Sequence, residues 1–260
     1  MGKQLKDISI CVVTHNNKIE VKELLDSIYK YTEDIDFEVF LVDNASSDGT
    51  AESVEESFPA VSVIKSEKNL GFGRAHNLVL NKINSKYHLI LNPDVMLPYN
   101  AIKEVFLYLE ENNDVVIATT KVLYPDGRPQ NLPKKNPRIK YILAGKLEKC
   151  SNYFKKIREE YTMYSDSSAK HEPFSIDFCT GCFMMVRSDI FKKLNGFDEN
   201  FFMYMEDADL SRRARKYGTI KFLPKTEIIH AWHRDSSKKF KFFLIHLISL
   251  FKYLVKWRKD

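Results

Sequence analysis

The chain has 260 residues, 44% of them hydrophobic and 29% charged, so it is long and apolar enough to bury a core and is not a disordered chain. We expect no membrane span, since no apolar run reaches about 18 residues, no secretion signal at residues 1–7, and a reducing compartment, since four cysteines do not make a disulfide framework. Residues 1–120 carry 11 basic and 19 acidic side chains and residues 121–260 carry 29 and 16, which predicts an anionic partner for the second half.

Short segments rich in Val and Ile alternate with amphipathic helical patterns over the first 120 residues. Strands are predicted at 8–14, 37–42, 61–64 and 87–91. Helices are predicted around 19–28, 75–83 and 101–111. This alternation predicts an α/β fold in which helices flank a mostly parallel sheet, and ligands bind beyond the carboxyl ends of such strands.

The second half is less regular. Residues 125–175 hold four prolines before residue 140 and show no clear period, so we interpret them as an insertion or mobile segment with some helix around 139–157. A strand-like stretch follows at 176–187, then a helix at 206–216 and strands near 220–223 and 227–231.

The C-terminal stretch 238–260 is predicted to form a basic, aromatic helix with seven basic residues, one acidic residue and six aromatics. Its apolar face is Phe240, Phe243, Leu247, Leu250, Phe251, Leu254 and Trp257, and its polar face is Lys241, Ser249, Lys252, Lys256 and Lys259. Two interpretations fit this pattern: docking on an anionic membrane surface, or packing on its own domain or on a second subunit. We expect docking, with donor hydrolysis largely intact when the tail is removed.

Polar residues follow three of the predicted strands. No Gly-x-Gly-x-x-Gly follows the first strand and no Gly-x-x-x-x-Gly-Lys-Ser/Thr occurs, which excludes the dinucleotide fingerprint and the P-loop. Asp43 follows the second strand, where it either accepts hydrogen bonds from a base or ribose or forms a turn. Asp94 follows the fourth strand, where it either holds a hard divalent cation beside a diphosphate or caps a turn.

Three groups of candidate residues lie in the second half. Glu206, Asp207 and Asp209 follow an aromatic stretch, and such a cluster either supplies a general base with a raised pKa or complements a helix dipole. Arginines at 212, 213 and 215 either face phosphates or pair with these acids. His230 and His233 are either metal ligands or structural histidines. We interpret the cysteines at 179 and 182 as small apolar residues, because zinc needs a second pair.

Several motifs occur in a specific order. They are Val12-Val13-Thr14-His15-Asn16, Val42 to Thr50, Asn69 to Asn77, Leu91-Asn92-Pro93-Asp94, Gly181 to Arg187, Gly196 to Glu199 and Met205 to Leu210. This order resembles the family 2 inverting glycosyltransferases with the A-type fold. It looks most like a rhamnosyltransferase-like branch that builds bacterial surface polysaccharides. The resemblance covers residues 8–235.

The resemblance implies a nucleotide-sugar donor and a divalent cation, Mg²⁺ or Mn²⁺. The donor-binding residues that it implies are Thr14, Asn16, Asp43, Arg74, Asn92 and Arg213, of which Arg213 would meet the diphosphate. Asn92-Pro93-Asp94 matches the Asp-x-Asp site of the family without its first Asp, which leaves Asp94 as a metal ligand together with His230 or its rival His233. Asp207 corresponds to the catalytic base and Glu206 to an acceptor-binding residue.

The implied reaction is a single displacement that inverts the anomeric carbon. By resemblance we expect rhamnose from a dTDP donor and a lipid-linked saccharide acceptor in O-antigen or capsule synthesis, with a UDP-hexose donor or a non-catalytic binding module as alternatives. We expect a catalytic domain at 1–235, with a nucleotide-binding part at 1–120 and an acceptor part at 121–235, and a tail at 236–260. The expected location is cytoplasmic and peripheral on the inner face of the cell membrane, with no nucleic acid and a possible homodimer.

Overall fold

The computed structural model describes residues 4–130, 132–163, 171–231 and 240–258. Its strands are β1 (Lys6–Thr14), β2 (Phe37–Asp43), β3 (Ser62–Lys65), β4 (Ser85–Leu91), β5 (Val95–Met96), β6 (Val115–Leu123), β7 (Phe174–Ser175), β8 (Phe183–Arg187) and β9 (Thr219–His230). Its helices are α1 (Lys18–Tyr31), α2 (Thr50–Ser57), α3 (Phe72–Asn77), α4 (Ala101–Glu111), α5 (Ile139–Leu147), α6 (Asn152–Tyr161), α7 (Ser188–Lys193), α8 (Glu206–Ala214) and α9 (Phe240–Lys256). The patterns predicted neither α2 nor α7.

All nine strands belong to one sheet, in the order β3-β2-β1-β4-β8-β6-β9-β5, with β7 paired to β9. The pairs β3–β2, β2–β1, β1–β4 and β6–β9 are parallel. Because β8 is antiparallel to both β4 and β6, the strands β1, β2, β3, β4, β6 and β9 all run in one direction. Their carboxyl ends therefore meet at one edge, and the predicted α/β fold class is confirmed.

Apolar side chains cover both faces of the sheet. On one face, alternate residues of β1 pack with buried residues of α1 and α4, namely Ile8, Ile10, Val12, Leu24, Ile28, Val105 and Leu109. On the other face, Cys11 and Val13 pack with buried residues of α3, α7 and α8, namely Ala75, Phe191, Leu210 and Ala214. The period of two in β1 thus gives a three-layer arrangement.

The predicted insertion contains two helices within its described residues, α5 and α6, which form a hairpin. The ring of Tyr141 stacks on that of Tyr161 with their centroids 4.9 Å apart. The Tyr141 hydroxyl donates to Glu160 Oε1 at 2.7 Å, and Lys135 N donates to Tyr161 O at 2.9 Å. The hairpin is therefore tied to the chain that precedes it.

The tail helix α9 packs on the rest of the chain along one face. Tyr253 is fully buried, Ser249 Oγ donates to Met203 O at 2.7 Å, and Trp257 Nε1 donates to Asp209 Oδ1 at 2.9 Å. Lys252 Nζ donates to Asn200 O at 2.8 Å, so part of the predicted polar face points inward. Packing on its own domain is thus realised for this face.

The opposite face of α9 carries an exposed apolar stripe, which we define as Leu244, Leu247, Ile248, Phe251 and Val255. The predicted apolar face is therefore divided, because Leu250 is buried whereas Phe251 is 69% exposed. Across the described parts of the chain, no helix combines the length and the apolar character that a bilayer crossing requires.

Candidate active site

Thr14 and Asp43 end neighbouring strands and lie opposite each other in the register of β1 and β2. Thr14 is 1% exposed and Asp43 is 5% exposed. Asp43 Oδ2 accepts from Ser46 N at 3.2 Å, whereas Asp43 Oδ1 and Thr14 Oγ1 are buried without a hydrogen-bond partner in the described structure. Buried polar atoms are normally paired, so these two atoms fit a polar ligand such as a base or ribose.

Asn16 joins the loops that follow β1 and β2. Its backbone is left-handed, with φ 58°, and its Oδ1 accepts from Ser47 N at 2.8 Å and Ser47 Oγ at 3.3 Å. Its backbone N donates to Ser46 Oγ at 2.9 Å. The side-chain carbonyl predicted to hold the donor is therefore engaged in holding these loops together.

The next link runs from β2 to the loop before α3. Asn44 Oδ1 accepts from Leu70 N at 2.8 Å, and Asn44 Nδ2 donates to Gly71 O at 3.1 Å. Gly71 has φ 83°, and a Cβ there would overlap the carbonyl oxygen of Phe202, which accepts from Phe72 N at 2.9 Å. The motif 69–77 thus brings the donor loops against the segment that leads into α8.

The two predicted donor-binding arginines both contact the protein. Arg74 is exposed and its Nε donates to Glu199 O at 2.7 Å. Arg213 donates from Nε to Asp209 Oδ2 at 2.7 Å, from Nη1 to Leu194 O at 2.9 Å and from Nη2 to Gly196 O at 2.9 Å. Because all three of its nitrogens donate to protein oxygens and its side chain is 16% exposed, Arg213 stabilises α8 in this structure.

The predicted metal ligands Asp94 and His230 are brought together by the pairing of β5 with β9. Asp94 Oδ1 lies 3.1 Å from His230 Nε2, and Asn92 Nδ2 lies 3.3 Å from the same nitrogen. On its other side, His230 Nδ1 lies 3.3 Å from Gln130 Oε1. The rival His233 lies outside the described residues.

This pair fits a hard divalent cation that keeps water and phosphate oxygens among its ligands. Among the described residues, no group of three or more His, Cys, Asp or Glu side chains forms a closed metal cage. A carboxylate suits Mg²⁺ and Mn²⁺, and an imidazole whose outer nitrogen is hydrogen-bonded is oriented as metal-ligating histidines are. Asp94 and His230 are therefore the residues that would hold it.

The carboxylate of Asp207 lies in the first turn of α8 and faces the loop before β8. Its Oδ1 accepts from Ala208 N at 2.9 Å and its Oδ2 from Gly181 N at 3.3 Å. A Cβ on Gly181 would approach Phe72 Cζ to 2.8 Å, so a glycine is needed for this close approach. The carbonyl oxygen of the next residue, Cys182, accepts from Asn92 N at 3.1 Å, and Asn92 lies beside His230. Asp207 and the predicted metal ligands are therefore arranged around one loop.

Burial raises the pKa of Asp207, and the positive charge of Lys134 opposes that rise. Glu206 is 5% exposed and its Oε2 has no hydrogen-bond partner in the described structure. Burial, with the neighbouring charge of Asp207, raises the pKa of Glu206 well above its usual range. The two carboxyl groups therefore favour a state with one negative charge.

The backbone that enters α8 is strained. Tyr204 and Met205 are consecutive left-handed residues with φ 69° and 70°, and each such residue costs about 1–3 kcal/mol. Neighbouring contacts hold the segment, including those of Phe202 O with α3 and of Met203 O with α9. Strain of this kind is concentrated at functional sites, and here it sets the position of Asp207.

Sequence reasoning missed the residues of 125–175 that face Asp207. The charge of Asp207 acts on both Lys134 and Tyr161, and Lys134 Nζ lies 5.1 Å from the centre of the Phe178 ring. Burial lowers the pKa of Lys134, and Asp207 opposes that shift. The excess of basic residues in the second half was the signal, but no period marks which lysine lies within range of the charge of Asp207.

The cysteines at 179 and 182 are buried and free, as interpreted from the sequence. Burial raises the pKa of the Cys182 thiol to about 11 and that of Cys179 well above its usual range. Asp209, the third member of the acidic cluster, is fully buried and pairs with Arg213 and Lys256. It therefore anchors α8 and α9.

Comparisons with known proteins agree with this geometry. Residues 9–195 match the family described as Glycosyl transferase family 2, and residues 162–234 match one described as N-terminal domain of galactosyltransferase. The chain is 27% identical over 261 residues to rhamnosyltransferase WbbL of Escherichia coli (strain K12), which covers 96% of this chain and 94% of that protein. It is 24% identical over 235 residues to N-acetylglucosaminyl-diphospho-decaprenol L-rhamnosyltransferase of Mycobacterium tuberculosis (strain ATCC 25618 / H37Rv), which covers 86% and 75%.

Solved structures show the same fold. Mannosyltransferase PcManGT from Pyrobaculum calidifontis, in complex with GDP-Man and Mn²⁺, superposes with a TM-score of 0.64 at 19% identity over 97% of this chain and 65% of its own. Staphylococcus aureus TarS 1–349 in complex with UDP-GlcNAc gives 0.61 at 20% identity over 94% and 65%. The chain thus spans just under two thirds of these two solved chains. Since the family match covers most of its residues, the chain belongs to glycosyl transferase family 2 and is a glycosyltransferase with the A-type fold.

Proposed function

We propose that this glycosyltransferase inverts the anomeric carbon of its donor and transfers rhamnose from dTDP-rhamnose to a lipid-linked saccharide in O-antigen or capsule synthesis. The observation that carries the reaction type is the loop of Gly181 and Cys182, which contacts Asp207 on one side and Asn92 on the other. A base and a diphosphate-binding edge on one loop are what a single displacement needs. Two rhamnosyltransferases among its relatives support the sugar, and one of them carries a diphospho-decaprenol in its name.

Asp207 is the general base. It takes the proton from the acceptor hydroxyl, whose oxygen attacks the anomeric carbon as the nucleoside diphosphate leaves. Glu206 keeps its own proton and so leaves the negative charge on Asp207. Lys134 adds a positive charge that helps Asp207 to stay ionised.

The donor lies along the carboxyl edge of the sheet. Thr14 and Asp43 contact the base and ribose through the two buried atoms that have no hydrogen-bond partner among the described residues. Asp94 and His230 would hold a divalent cation, Mg²⁺ or Mn²⁺, with Asn92 beside them. When bound, such a cation neutralises charge on the leaving diphosphate.

The enzyme works at the inner face of the cell membrane. The exposed apolar stripe of α9 docks on the cytoplasmic leaflet, helped by the exposed basic residues Lys241 and Arg258. Docking brings the site close to a lipid-linked acceptor. The position of this stripe, opposite the face that packs on the domain, supports the proposal.

A panel of nucleotide sugars tests the donor. The panel consists of dTDP-rhamnose, UDP-glucose, UDP-GlcNAc and GDP-mannose, each with and without Mn²⁺ or Mg²⁺, and the measurements are thermal unfolding and release of nucleoside diphosphate. We expect dTDP-rhamnose with a cation to give the largest rise in Tm, because a ligand stabilises the folded state according to its affinity. Turnover of a UDP-hexose alone would replace the donor assignment and leave the reaction type standing.

A further inference from the structure

His230 is held on both sides of its ring by side chains from distant parts of the chain. Gln130, 4% exposed, faces Nδ1 of the ring at 3.3 Å. Asp94 and Asn92 face Nε2 at 3.1 and 3.3 Å. The ring itself is 4% exposed. Which ring nitrogen carries the proton therefore depends on these neighbours and not on solvent.

The orientation of the Gln130 amide is fixed by two backbone carbonyls. Gln130 Nε2 donates to His230 O at 2.8 Å and to Leu123 O at 3.4 Å. Carbonyl oxygens accept and do not donate, so the NH₂ group must face them and Oε1 must face the imidazole. An amide oxygen can only accept, so His230 Nδ1 has to donate the proton of this contact.

Neutral imidazole has one N–H, and the hydrogen bond to Gln130 places it on Nδ1. The lone pair is then on Nε2, which faces the Asp94 carboxylate oxygen, a second electron-pair donor. Two such donors 3.1 Å apart suit a cation near both. The Asn92 amide can donate to Nε2 and so stabilise this arrangement.

We infer that Gln130 is a positioning residue, which holds His230 as the Nδ1–H tautomer so that Nε2 is ready to bind the divalent cation with Asp94. The inference rests on the proposed metal site, and it extends that site to a residue of the irregular segment 125–175. Gln130 is itself held in place, since its backbone N donates to Val122 O at 2.8 Å. Partners of this kind typically contribute 10–100-fold to metal affinity.

The test is ¹⁵N NMR of the histidine side chains in the metal-free protein, which needs neither donor nor activity. The spectrum of His230→Asn identifies the His230 signals by their absence. With the ring in its neutral form, we expect wild-type His230 to carry its proton on Nδ1 and not on Nε2. In Gln130→Leu, which removes the acceptor at nearly the same size, this preference should be lost. Gln130→Glu keeps an acceptor oxygen for Nδ1, and its second oxygen, which faces the carbonyls of His230 and Leu123, can donate to them only when it is protonated. In that form it should restore the preference.

Mn²⁺ titration of the wild type, Gln130→Leu and Gln130→Glu, followed by electron paramagnetic resonance, tests the effect on metal affinity. We expect Gln130→Leu to bind Mn²⁺ 10–100-fold more weakly and Gln130→Glu to recover most of the loss. An unchanged tautomer in Gln130→Leu, or unchanged Mn²⁺ affinity once the tautomer is lost, would overturn the inference. If Asp94→Ala binds Mn²⁺ as the wild type does, it is the proposed metal site that fails, and the tautomer result is read separately.

Discussion

Two neighbouring carboxylates of α8 have different roles although they are two residues apart. Asp207 faces the loop of Gly181, whereas Asp209 is fully buried between Arg213 and the tail. We predict that Asp207→Asn lowers the transfer rate by about 10²–10⁴-fold, the usual cost of losing a general base, while donor binding survives. Steady-state transfer and calorimetric donor titration measure the two effects.

Asp209→Asn is the matched control for that variant. It breaks buried ion pairs to Arg213 and Lys256, so it should lower Tm more than Asp207→Asn does. Near-normal transfer by folded Asp207→Asn would assign the base to another carboxyl group, and Glu206 would be the next candidate.

The charge of Lys134 sets the pH range of the reaction. Its removal in Lys134→Met leaves Asp207 with a higher pKa, since that positive charge lowers it. Asp207 must be ionised to act as a base, so the acid limb of the rate profile should move to higher pH. The neighbouring Lys135 pairs with Glu160 at the surface, and Lys135→Met should leave the limb in place. A common limb for all three proteins would contradict a role of Lys134 at Asp207.

Residues at strand ends were predictable from the sequence, and residues brought in by irregular segments were not. Asp94 and Asp43 stand out because each ends a short apolar run, and parallel strands share an edge. Gln130 and Lys134 lie among prolines in a stretch without a period. Only the folded chain shows that Gln130 contacts His230 and that the charge of Lys134 acts on Asp207. For Arg213, the pattern allowed both a phosphate and an acid at i−4, and the structure pairs it with Asp209.

Among the elements, α3 depends on one glycine for its contact with the segment before α8. We predict that Gly71→Ala destabilises the protein by more than about 2 kcal/mol, since a Cβ would overlap Phe202 O at a left-handed φ of 83°. Gly127 has nearly the same φ, 81°, and no atom within 4 Å of an added Cβ. Gly127→Ala should therefore cost only about 1–2 kcal/mol.

Urea unfolding of both variants gives the two costs. Gly71 also has ψ −175°, a region that is essentially restricted to glycine, so the difference reports this backbone strain together with the clash at Phe202 O. Equal free energies of unfolding would mean that α3 moves away from Phe202 at little cost. In that case the motif 69–77 would not set the position of α8.

One face of the helix α9 packs on the rest of the chain and is part of its structure. Tyr253 packs with Phe178, Phe201 and Ala208, and Lys256 pairs with Asp198 and Asp209. Removing the tail would take Lys256 and Trp257 away from the fully buried Asp209 and leave it with Arg213, which is costly. These contacts argue against the sequence-based expectation that truncation leaves donor hydrolysis intact. A test of membrane docking must therefore change only the exposed face of the helix.

At the scale of the whole molecule, the direction of the strands could be predicted only in part. Alternating strand and helix patterns indicate parallel β1, β2, β3 and β4, because each crossover helix returns the chain to the same end. The short apolar run of β8 carries no such information. It enters antiparallel between β4 and β6, and its preceding loop thereby reaches both Asn92 and Asp207.

Acid sensitivity of the whole fold should depend on a histidine in the core. His88 is fully buried, its Nδ1 lies 2.8 Å from Ser9 Oγ, and burial lowers its pKa to about 3. The unfolded chain takes up this proton near pH 6.5, so the stability that His88 contributes is complete above that pH. It is lost as pH falls toward 3, by on the order of 1 kcal/mol per pH unit.

Urea unfolding between pH 4 and 8 measures this dependence. His88→Gln, which does not titrate, should show a shallower loss of stability below pH 6.5 than the wild type. His76 is also fully buried, and burial lowers its pKa. It should therefore make the free energy of unfolding fall with pH in the same way, and its contribution should persist in His88→Gln. Identical slopes for His88→Gln and the wild type would contradict the assignment.

Attachment of the molecule to a membrane depends on the exposed apolar stripe of α9. Ile248 and Phe251 are 55% and 69% exposed, so the double variant Ile248→Ser/Phe251→Ser should leave Tm and donor hydrolysis unchanged. We predict that it sediments less with anionic phosphatidylglycerol vesicles than the wild type does, and that 1 M salt weakens wild-type binding, since screening shortens the Debye length to about 3 Å. Trp257→Ala is the opposite control, because that ring contacts Asp209 and Arg212, so it should lower Tm. If the double variant binds vesicles as the wild type does but changes from dimer to monomer in solution, the stripe is occupied by a second copy of the chain and not by lipid.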